Sequence, residues 1–394
     1  MSTIIGNAVT NEKNAIKAVE QVCNKALHNF KGEVPDIVFV FASTVYDFKV
    51  LLEKIKEKTN CKQIVGCSTA GEFVQNEAVT GGLSIMAIKS DTMKIITTKA
   101  QNLKGNTQQA IDEHFGNFKE EVREMSRQEF RYPTVMLLVD GLLGSGEEFI
   151  KGIFTKTGIL SQLVGGAAGD DAKLKETYVF FNGEHFSNGA VFIKIFSKNK
   201  VGVGVSHGMK NASKTMRATK VQGATLYELD GRPAFEVYKE YAATKGITLT
   251  KENANVFLIN NELAIQDLTF TKIRAPLICN EDGSFAMATE IPQDSLVAIV
   301  DAVEQNLIKA ANDASMEANK NLAGVKASGV LVFDCICRQS IMGDKYVNEM
   351  KEISSVFGEN VPVTGFSTYG EIAKYSGTLN GYHNSTVVVC ALPE

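Results

Sequence analysis

The chain has 394 residues, which at roughly 150 residues per domain predicts two or three domains. Its hydrophobic fraction of 44% and charged fraction of 22% are ordinary for a globular protein and exclude a disordered chain, a collagen-like chain and a coiled-coil rod. Lys plus Arg number 41 and Asp plus Glu 45, so a net charge of −4 provides no overall field that would favour nucleic acid or an acidic membrane surface.

The cysteines and the N-terminal segment indicate a cellular compartment. An odd number of cysteines with irregular spacing, and no CxxC pair or zinc-ligand spacing, predicts reduced thiols and no bound metal or cofactor. The seven cysteines are at positions 23, 61, 67, 279, 335, 337 and 390. The N-terminal segment turns polar after five residues and lacks a signal-peptide core, and no apolar run approaches the roughly 18 residues that span a bilayer. We therefore expect a cytoplasmic protein that does not insert directly into a membrane.

The first part of the chain alternates predicted helices and strands. Apolar residues at helical spacing predict two amphipathic helices, and short apolar runs predict buried strands. The helices are at 11–30 and 47–58, and the strands at 36–42, 63–66, 83–89 and 93–98. A similar order follows in the middle of the chain, with a strand at 134–139, a turn and helix in DGLLGSGEEFIKGIF, and strands at 178–181 and 190–195.

Residues 201–230 alternate apolar and polar positions, which is typical of antiparallel strands. A turn at Asp230-Gly231 and a helix that begins near Pro233 follow. The remaining predicted strands are at 256–259, 264–273, 277–278, 285–289, 296–300, 329–333 and 385–391, and the remaining helices at 301–320 and 343–356.

Three glycine motifs recur, each after a strand and a helix and each before another strand. They are GCSTAGE at 66–72, GGAAGDD at 165–171 and GFSTYGE at 365–371. The pattern predicts an α/β protein with mixed sheets built from repeated strand–helix–strand–Gly-turn units, arranged in two closely associated halves. We expect residues 34–99, 133–196 and 328–392 to share a core when superposed.

The motifs resemble those of the FIST family, the F-box and intracellular signal transduction proteins. GCSTAGEF after DIVFVFAS, LLVDGLLGSGEE, LVGGAAGDD and LYELDGRPAFEVY resemble the N-terminal FIST domain, and VLVFDCICR, VPVTGFSTYGEIA and HNSTVVV resemble the C-terminal one. The resemblance places the two domains at 1–225 and 226–394. It implies a sensory module that binds small molecules such as amino acids. Many relatives are fused to a histidine kinase, a diguanylate cyclase, a chemoreceptor or an F-box, so we expect a separate signalling protein as partner.

Two of the glycine motifs carry hydroxyl and carboxylate side chains that could contact a ligand. Such loops point backbone N–H groups at one spot, and the acids add a fixed negative charge. The candidates are Ser68, Thr69 and Glu72 in the first motif and Ser367, Thr368, Tyr369 and Glu371 in the third. The alternative is structural: the glycines permit close strand packing and the two glutamates cap backbone amides.

Cys67 and Ser68 support a second function class, a hydrolase or transferase with one of them as nucleophile. No His lies near them in the sequence, and the chain lacks GxSxG, HExxH and GxGxxG, so we predict a sensor rather than an enzyme. A scaffold that binds another protein is the third class. A buried inert thiol is the alternative for Cys67, and core packing is the alternative to a metal or redox role for the Cys335–Cys337 pair, which a strand would place on one face.

Four further residues are candidate ligand contacts. Asp140 begins a loop that could hold a phosphate, although the loop lacks the Lys-Ser/Thr of a P-loop. Asp170, next to Asp171, could bind a hard cation or serve as a cap. Arg338 could clamp a carboxylate or pair with Glu349. Asn384, at the start of the last strand, could hold a turn or contact a ligand.

A free amino acid needs donors for its carboxylate and acceptors for its ammonium group. The serines and threonines of the glycine loops supply donors, Glu72 or Glu371 supplies the counter-charge, and Arg338 is the expected carboxylate clamp. The sequence therefore predicts a zwitterion site that these residues share.

Overall fold

The computed structural model describes residues 3–158, 161–266, 271–375 and 378–394. Its first hundred residues form two helices and contribute strands to three sheets. Asp47 caps the second helix by accepting hydrogen bonds from the N–H groups of Lys49 and Val50. The elements are β1 (Thr3–Thr10), α1 (Ala15–Ala26), β2 (Ile37–Ala42), α2 (Phe48–Thr59), β3 (Ile64–Ser68), β4 (Glu72–Val74), β5 (Glu77–Val79), β6 (Leu83–Ser90) and β7 (Met93–Gln101).

The second part of the chain repeats this alternation of strands and helices. Its elements are α3 (Thr107–His114), α4 (Phe118–Arg127), β8 (Tyr132–Val139), α5 (Gly146–Thr157), β9 (Gln162–Ala167), β10 (Val179–Phe181), β11 (Glu184–Phe186), β12 (Gly189–Ser197) and β13 (Gly202–Ser206). Strand β12 is buried along its whole length because it lies between β7 and β8.

The third part adds a separate sheet of short antiparallel strands with two helices. Its elements are β14 (Lys210–Asn211), β15 (Met216–Gln222), β16 (Thr225–Leu229), β17 (Arg232–Pro233), α6 (Ala234–Thr244), α7 (Lys251–Asn260), β18 (Asn261–Gln266), β19 (Thr271–Arg274), β20 (Pro276–Cys279), β21 (Phe285–Met287) and β22 (Leu296–Asp301). These strands form one nine-stranded sheet.

The last part returns to the earlier alternation. Its elements are α8 (Glu304–Asn321), β23 (Ala327–Cys335), α9 (Ile336–Met342), α10 (Tyr346–Phe357), β24 (Val363–Thr368), β25 (Glu371–Tyr375), β26 (Thr378–His383) and β27 (Val387–Pro393). No helix within the described ranges combines the length and the apolar character needed to cross a membrane.

Three segments of the chain have the same topology. In each, a strand and a helix lead to a second strand parallel to the first, and a later strand pairs antiparallel with the other edge of the first strand. We name them unit 1 (β2, α2, β3, β6), unit 2 (β8, α5, β9, β12) and unit 3 (β23, α10, β24, β27). The fold is therefore α/β with mixed sheets, as the sequence predicts.

The three units are joined by an exchange of hairpins. The hairpin after the glycine turn of unit 1, β4–β5, pairs with β24 of unit 3. The hairpin β10–β11 after the turn of unit 2 pairs with β3 of unit 1, and β25–β26 after the turn of unit 3 pairs with β9 of unit 2. Each six-stranded sheet thus contains the three strands of one unit and the hairpin that follows the glycine turn of another unit. Separation of one unit from the other two would therefore disrupt the strand pairing of two sheets.

A central apolar cluster lies where the three sheets meet. Phe41 of unit 1 stacks on Phe366 of unit 3 with ring centroids 4.5 Å apart, and Phe333 lies edge-on to Phe366 at 5.8 Å. Met136 of unit 2 belongs to the same buried cluster. Burial of this shared core stabilises the units together rather than one by one.

The sequence-based elements differ from the structure at several places, and the sequence patterns do not indicate α3, α4, β4 or β5. The strand predicted at 256–259 lies in α7, which begins after a capping box of Thr250 and Asn253. No pattern in the sequence predicts β1, which pairs along its length with β6. The strand predicted at 264–273 is divided between β18 and β19, and residues 267–270 lie outside the described residues. The strand through DCICR ends at Cys335, where α9 begins, so Cys335 and Cys337 do not alternate along one strand.

Candidate functional site

The three glycine turns, 66–72, 165–171 and 365–371, meet at the centre of the molecule, and we call them the glycine-turn hub. Their backbones are hydrogen bonded to one another, so the predicted site residues of the three glycine motifs come together. The bonds include Gly169 N to Ser68 O (2.9 Å), Ala70 N to Ser367 O (3.1 Å), Ser367 N to Gly71 O (2.8 Å) and Tyr369 N to Ala167 O (3.2 Å).

The first and third turns bury a threonine–glutamate pair in the same arrangement. The threonine hydroxyl donates to one carboxylate oxygen, and a backbone N–H just before the third strand of the unit donates to the other. The pairs are Thr69 with Glu72 and Thr368 with Glu371, and the N–H groups are those of Gly82 and Thr386. Burial raises the pKa of Glu72 to about 7 and that of Glu371 well above its ordinary value. Both glutamates therefore accept hydrogen bonds from backbone amides, which is the structural role that the sequence left open.

Cys67 and Ser68 lie inside the hub. Cys67 is fully buried in the central apolar cluster, and burial raises the pKa of its thiol well above the ordinary value. The Ser68 hydroxyl donates to the carbonyl of Gly169 at 2.7 Å and accepts from the N–H of Tyr178 at 2.8 Å. Both side chains are fully buried, so the geometry gives the nucleophile hypothesis no support.

Asp170 and Asp140 anchor the loop that follows the second turn. Asp170 accepts the N–H groups of Leu174, Lys175 and Glu176 at 2.6–3.0 Å and the hydroxyl of Tyr369. Although burial acts in the opposite direction, these hydrogen bonds lower the pKa of Asp170.

Asp140 accepts the Thr177 hydroxyl and the Leu142 N–H, the latter at 2.9 Å. Both aspartates therefore act as caps. No cluster of three or more His, Cys, Asp or Glu side chains within the described part of the chain is arranged to hold a metal ion.

Arg338 lies in a buried ionic cluster rather than at a strand end. Its Nε is 2.8 Å from Asp334, it pairs with Glu349, and its Nη atoms donate to the carbonyls of His207 and Leu307 at 2.9 Å. All three charged side chains are fully buried. The Glu349 pair, one of the two roles considered from the sequence, is present, and the predicted ligand clamp is corrected because protein acceptors occupy the guanidinium. Ser367 is likewise engaged inside the protein, donating to Gln339 at 2.6 Å.

A cavity of about 360 Å³ lies between units 2 and 3 and the nine-stranded sheet. It sits beyond the carboxyl ends of β8, β9, β23 and β24, where α/β proteins bind ligands. We call it the inter-unit cavity, and its lining residues are Gly141, Leu142, Gly144, Ala172, Leu174, Ile259, Ala275, Leu277, Met287, Ala288, Cys335, Ile336, Cys337, Ser340, Tyr369 and Asn384. Of the predicted site residues, Tyr369 and Asn384 line it.

The lining of the inter-unit cavity is neutral. It contains no charged side chain among the described residues, and its polar groups are two thiols, two hydroxyls and the amide of Asn384. The rest is aliphatic side chain, thioether and glycine. Such a wall accepts a small apolar body and orients it through a few hydrogen bonds.

A second cavity of about 380 Å³ lies beyond the carboxyl end of β2. Its lining mixes acids, lysines and aromatic rings. The residues are Thr44, Tyr46, Asp47, Phe48, Asp170, Lys173, Lys175, Glu176, Tyr178 and His185. The loop after Asp170 separates the two cavities, since Ala172 and Leu174 face one and Lys173 and Lys175 the other.

Comparison with protein families decides the identity. The FIST N domain matches residues 36–232 and the FIST C domain matches residues 234–374. The chain belongs to the FIST family. FIST domains are associated with sensing in signal transduction.

Individual relatives of this FIST chain add little about function. It is 23% identical over 239 residues to the uncharacterized protein MJ1623 of Methanocaldococcus jannaschii, an alignment that covers 58% of this chain and 44% of the archaeal protein. The chain thus spans less than half the length of that relative. Two solved structures of Thermotoga maritima overlap with it at low scores: PurLQS (TM-score 0.24, 10% identity, 99% of this chain and 73% of that one) and PurL complexed with ADP (TM-score 0.23, 9% identity, 98% and 71%).

Most of the cavity wall of this FIST protein was missed in the sequence. The DGLLGSG loop was singled out for Asp140, but Gly141, Leu142 and Gly144 are the residues that reach the cavity. For Cys335 and Cys337 the sequence leaves core packing and a metal or redox role as alternatives, and both residues line the cavity. Part of the remaining wall comes from the nine-stranded sheet and α7, and no local pattern in the sequence indicates that these elements face the glycine turns.

Proposed function

We propose that this FIST protein is a sensory module of signal transduction whose ligand occupies the inter-unit cavity. The observation that carries the proposal is a neutral, mostly apolar wall placed beyond the carboxyl ends of two pairs of parallel strands. The volume suits a small molecule, and the wall brings together two units and the nine-stranded sheet. A ligand there contacts all three and can bias their arrangement.

The preferred ligand in this proposal is neutral and largely apolar, with one or two hydrogen-bonding groups. A free amino acid would bring two charges into a cavity whose lining has no charged partner, at a cost of several kcal/mol. The Tyr369 hydroxyl donates to Asp170 but can still accept a hydrogen bond from a single polar group of the ligand, and the amide of Asn384 lies in the same wall. The zwitterion site predicted at Glu72, Glu371 and Arg338 is not part of this proposal, because all three are buried and engaged.

An amino acid is the second candidate ligand, and the second cavity favours it. Lys173 and Lys175 could meet a carboxylate, Glu176 an ammonium group, and the rings of Phe48 and Tyr178, 5.4 Å apart, a side chain. We also propose a separate signalling protein as partner, such as a kinase, a cyclase or a chemoreceptor. The family resemblance is the basis for this part of the proposal. A cytoplasmic location, indicated by the unpaired thiols, belongs to the same proposal.

A thermal-shift screen tests the ligand, since a molecule that binds only the folded state raises the melting temperature. The screen compares neutral apolar compounds with free amino acids on the wild type and on Ala288→Leu, which fills the inter-unit cavity. Ala243→Leu, at an exposed helix position, is the matched control. We expect neutral compounds to stabilise the wild type and the control but not Ala288→Leu. Stabilisation by amino acids alone, unchanged in Ala288→Leu, contradicts the proposal and favours the second cavity.

A further inference from the structure

Two thiols lie side by side in the wall of the inter-unit cavity. Cys335 and Cys337 both line it and are 2% and 6% exposed. Strand β23 ends at Cys335 with φ −66° and ψ 135°, and α9 begins at the next residue. Both side chains line the cavity, and together with Ala275 they form one small buried cluster.

The surroundings keep Cys335 neutral. The neighbouring Cys337 thiol and burial raise the pKa of Cys335 well above its ordinary value, so this thiol is protonated at neutral pH. The cavity lining offers no charged side chain to balance a metal bis-thiolate. A reaction that uses both thiols and leaves a neutral product therefore suits this site.

We propose that Cys335 and Cys337 form a chelating dithiol and that the inter-unit cavity accepts thiophilic ligands of the trivalent organoarsenous class. This inference rests on the proposed function, because it places the ligand in the same cavity. The step is R–As(OH)₂ + 2 Cys–SH → R–As(S–Cys)₂ + 2 H₂O. Two As–O bonds break, two As–S bonds form, each thiol proton leaves with a hydroxide as water, and nothing is oxidised or reduced.

The geometry supplies each part of this recognition. Sulfur is the soft donor that such a centre prefers, and two sulfurs at one point give a chelate. The organic group R would lie against the aliphatic wall of Ile259, Leu277 and Met287. The other five cysteines, all within the described residues, do not line this cavity, which makes the pair distinct within the chain.

Phenylarsine oxide, which hydrates to the reactive species, is the probe. Intact mass of the native protein gives the stoichiometry, and thiol titration after denaturation counts the sulfurs consumed. We expect one arsenical per chain and two thiols lost. We expect Cys335→Ser and Cys337→Ser each to weaken binding about 100-fold or more, because the chelate is lost. Cys279→Ser, which removes a half-exposed cysteine elsewhere, should bind as the wild type does, and Ala288→Leu should bind more weakly.

The proposal is overturned by no binding to the wild type, by loss of one thiol per arsenical, or by equal binding in Cys335→Ser and wild type. Neutral apolar compounds without a thiophilic centre separate this failure from that of the proposed function. If they stabilise wild type and Cys335→Ser alike while the arsenical does not bind, the dithiol inference fails and the proposed function stands. If the arsenical binds through both thiols and no other compound stabilises the chain, the dithiol inference stands alone.

Discussion

Replacement of Arg338 by Ala tests whether this arginine is structural. The wild-type guanidinium is fully buried between Asp334 and Glu349, and it donates to carbonyls before β14 and in α8. Breaking a buried pair from one side costs about 3–5 kcal/mol, because the partners stay buried without compensation. Two carboxylates are left here, so we expect a loss at the upper end of that range.

The matched control is Arg232→Ala. Arg232 pairs with Glu240 on the surface, with side chains 48% and 65% exposed, and removal of such a pair costs about 0–1 kcal/mol. Arg338→Lys keeps the charge but loses the planar fork, so we expect an intermediate loss. Urea denaturation with its midpoint and slope gives the free energy of unfolding for all three variants.

The loss in Arg338→Ala should also depend on pH. Burial already raises the pKa of Glu349 to about 8, and removal of the guanidinium raises it further. A carboxyl with a raised pKa in the folded state loses stability as the pH rises above its ordinary value. Because the wild-type carboxyl itself has a pKa of about 8, the variant should lose further stability relative to wild type above that pH, and should be closer to wild type at pH 6 than at pH 9. If Arg338→Ala lost no more unfolding free energy than Arg232→Ala, or weakened ligand binding with unchanged stability, the structural role would be refuted. Arg338 would then again be a candidate for binding the carboxylate of a ligand.

Three further predictions test the hub and its edge. The free energy of unfolding of the wild type should fall by about 3 kcal/mol between about pH 4.5 and pH 7, because folded Glu72 holds a proton there that the unfolded chain has released. Glu72→Gln should remove most of this fall. The same change of unfolding free energy with pH in variant and wild type would contradict the prediction. Tyr369→Phe should cost about 1.5–3 kcal/mol in the same assay through the lost bond to a buried carboxylate, and the half-exposed Tyr178→Phe much less; equal losses would be a failure. Gly66→Ala places a Cβ 1.8 Å from the Val40 carbonyl oxygen, so we expect the free energy of unfolding to fall by about 3 kcal/mol or more. An unchanged urea midpoint would contradict this, because it would show that β2 and β3 can move apart at no cost.

The fold class followed from the sequence because each unit is built from local patterns. Apolar runs such as 36–42 and 134–139 predict buried strands, and the amphipathic stretch at 47–58 predicts a helix. The exchange of hairpins between units was not predicted, because short strands such as β4 and β10 contact partners far away in the chain. Periodicity carries no information about which sheet edge such a strand joins.

The sequence predicted the candidate site less well than the fold, because the partners of a side chain depend on contacts between distant parts of the chain. The glycine motifs do converge, but Glu72 and Glu371 complete the hydrogen bonds of the turns instead of facing a ligand. Tyr369 faces the inter-unit cavity because it follows β24 at the carboxyl edge of the sheet. The sequence predicts Cys335 and Cys337 on one face of a strand, but the strand ends at Cys335, α9 begins at the next residue, and both side chains line the cavity.

Methyl NMR of the ligand-bound protein tests the central claim most directly. The sample carries labelled isoleucine and methionine methyl groups, and the ligand is the neutral compound that raises the melting temperature most. The account predicts shifts concentrated at Ile259, Ile336 and Met287, which line the inter-unit cavity, with Ile247 and the exposed Met316 unchanged. Shifts that leave the three cavity methyls unchanged would contradict the account, wherever else on the molecule they fall.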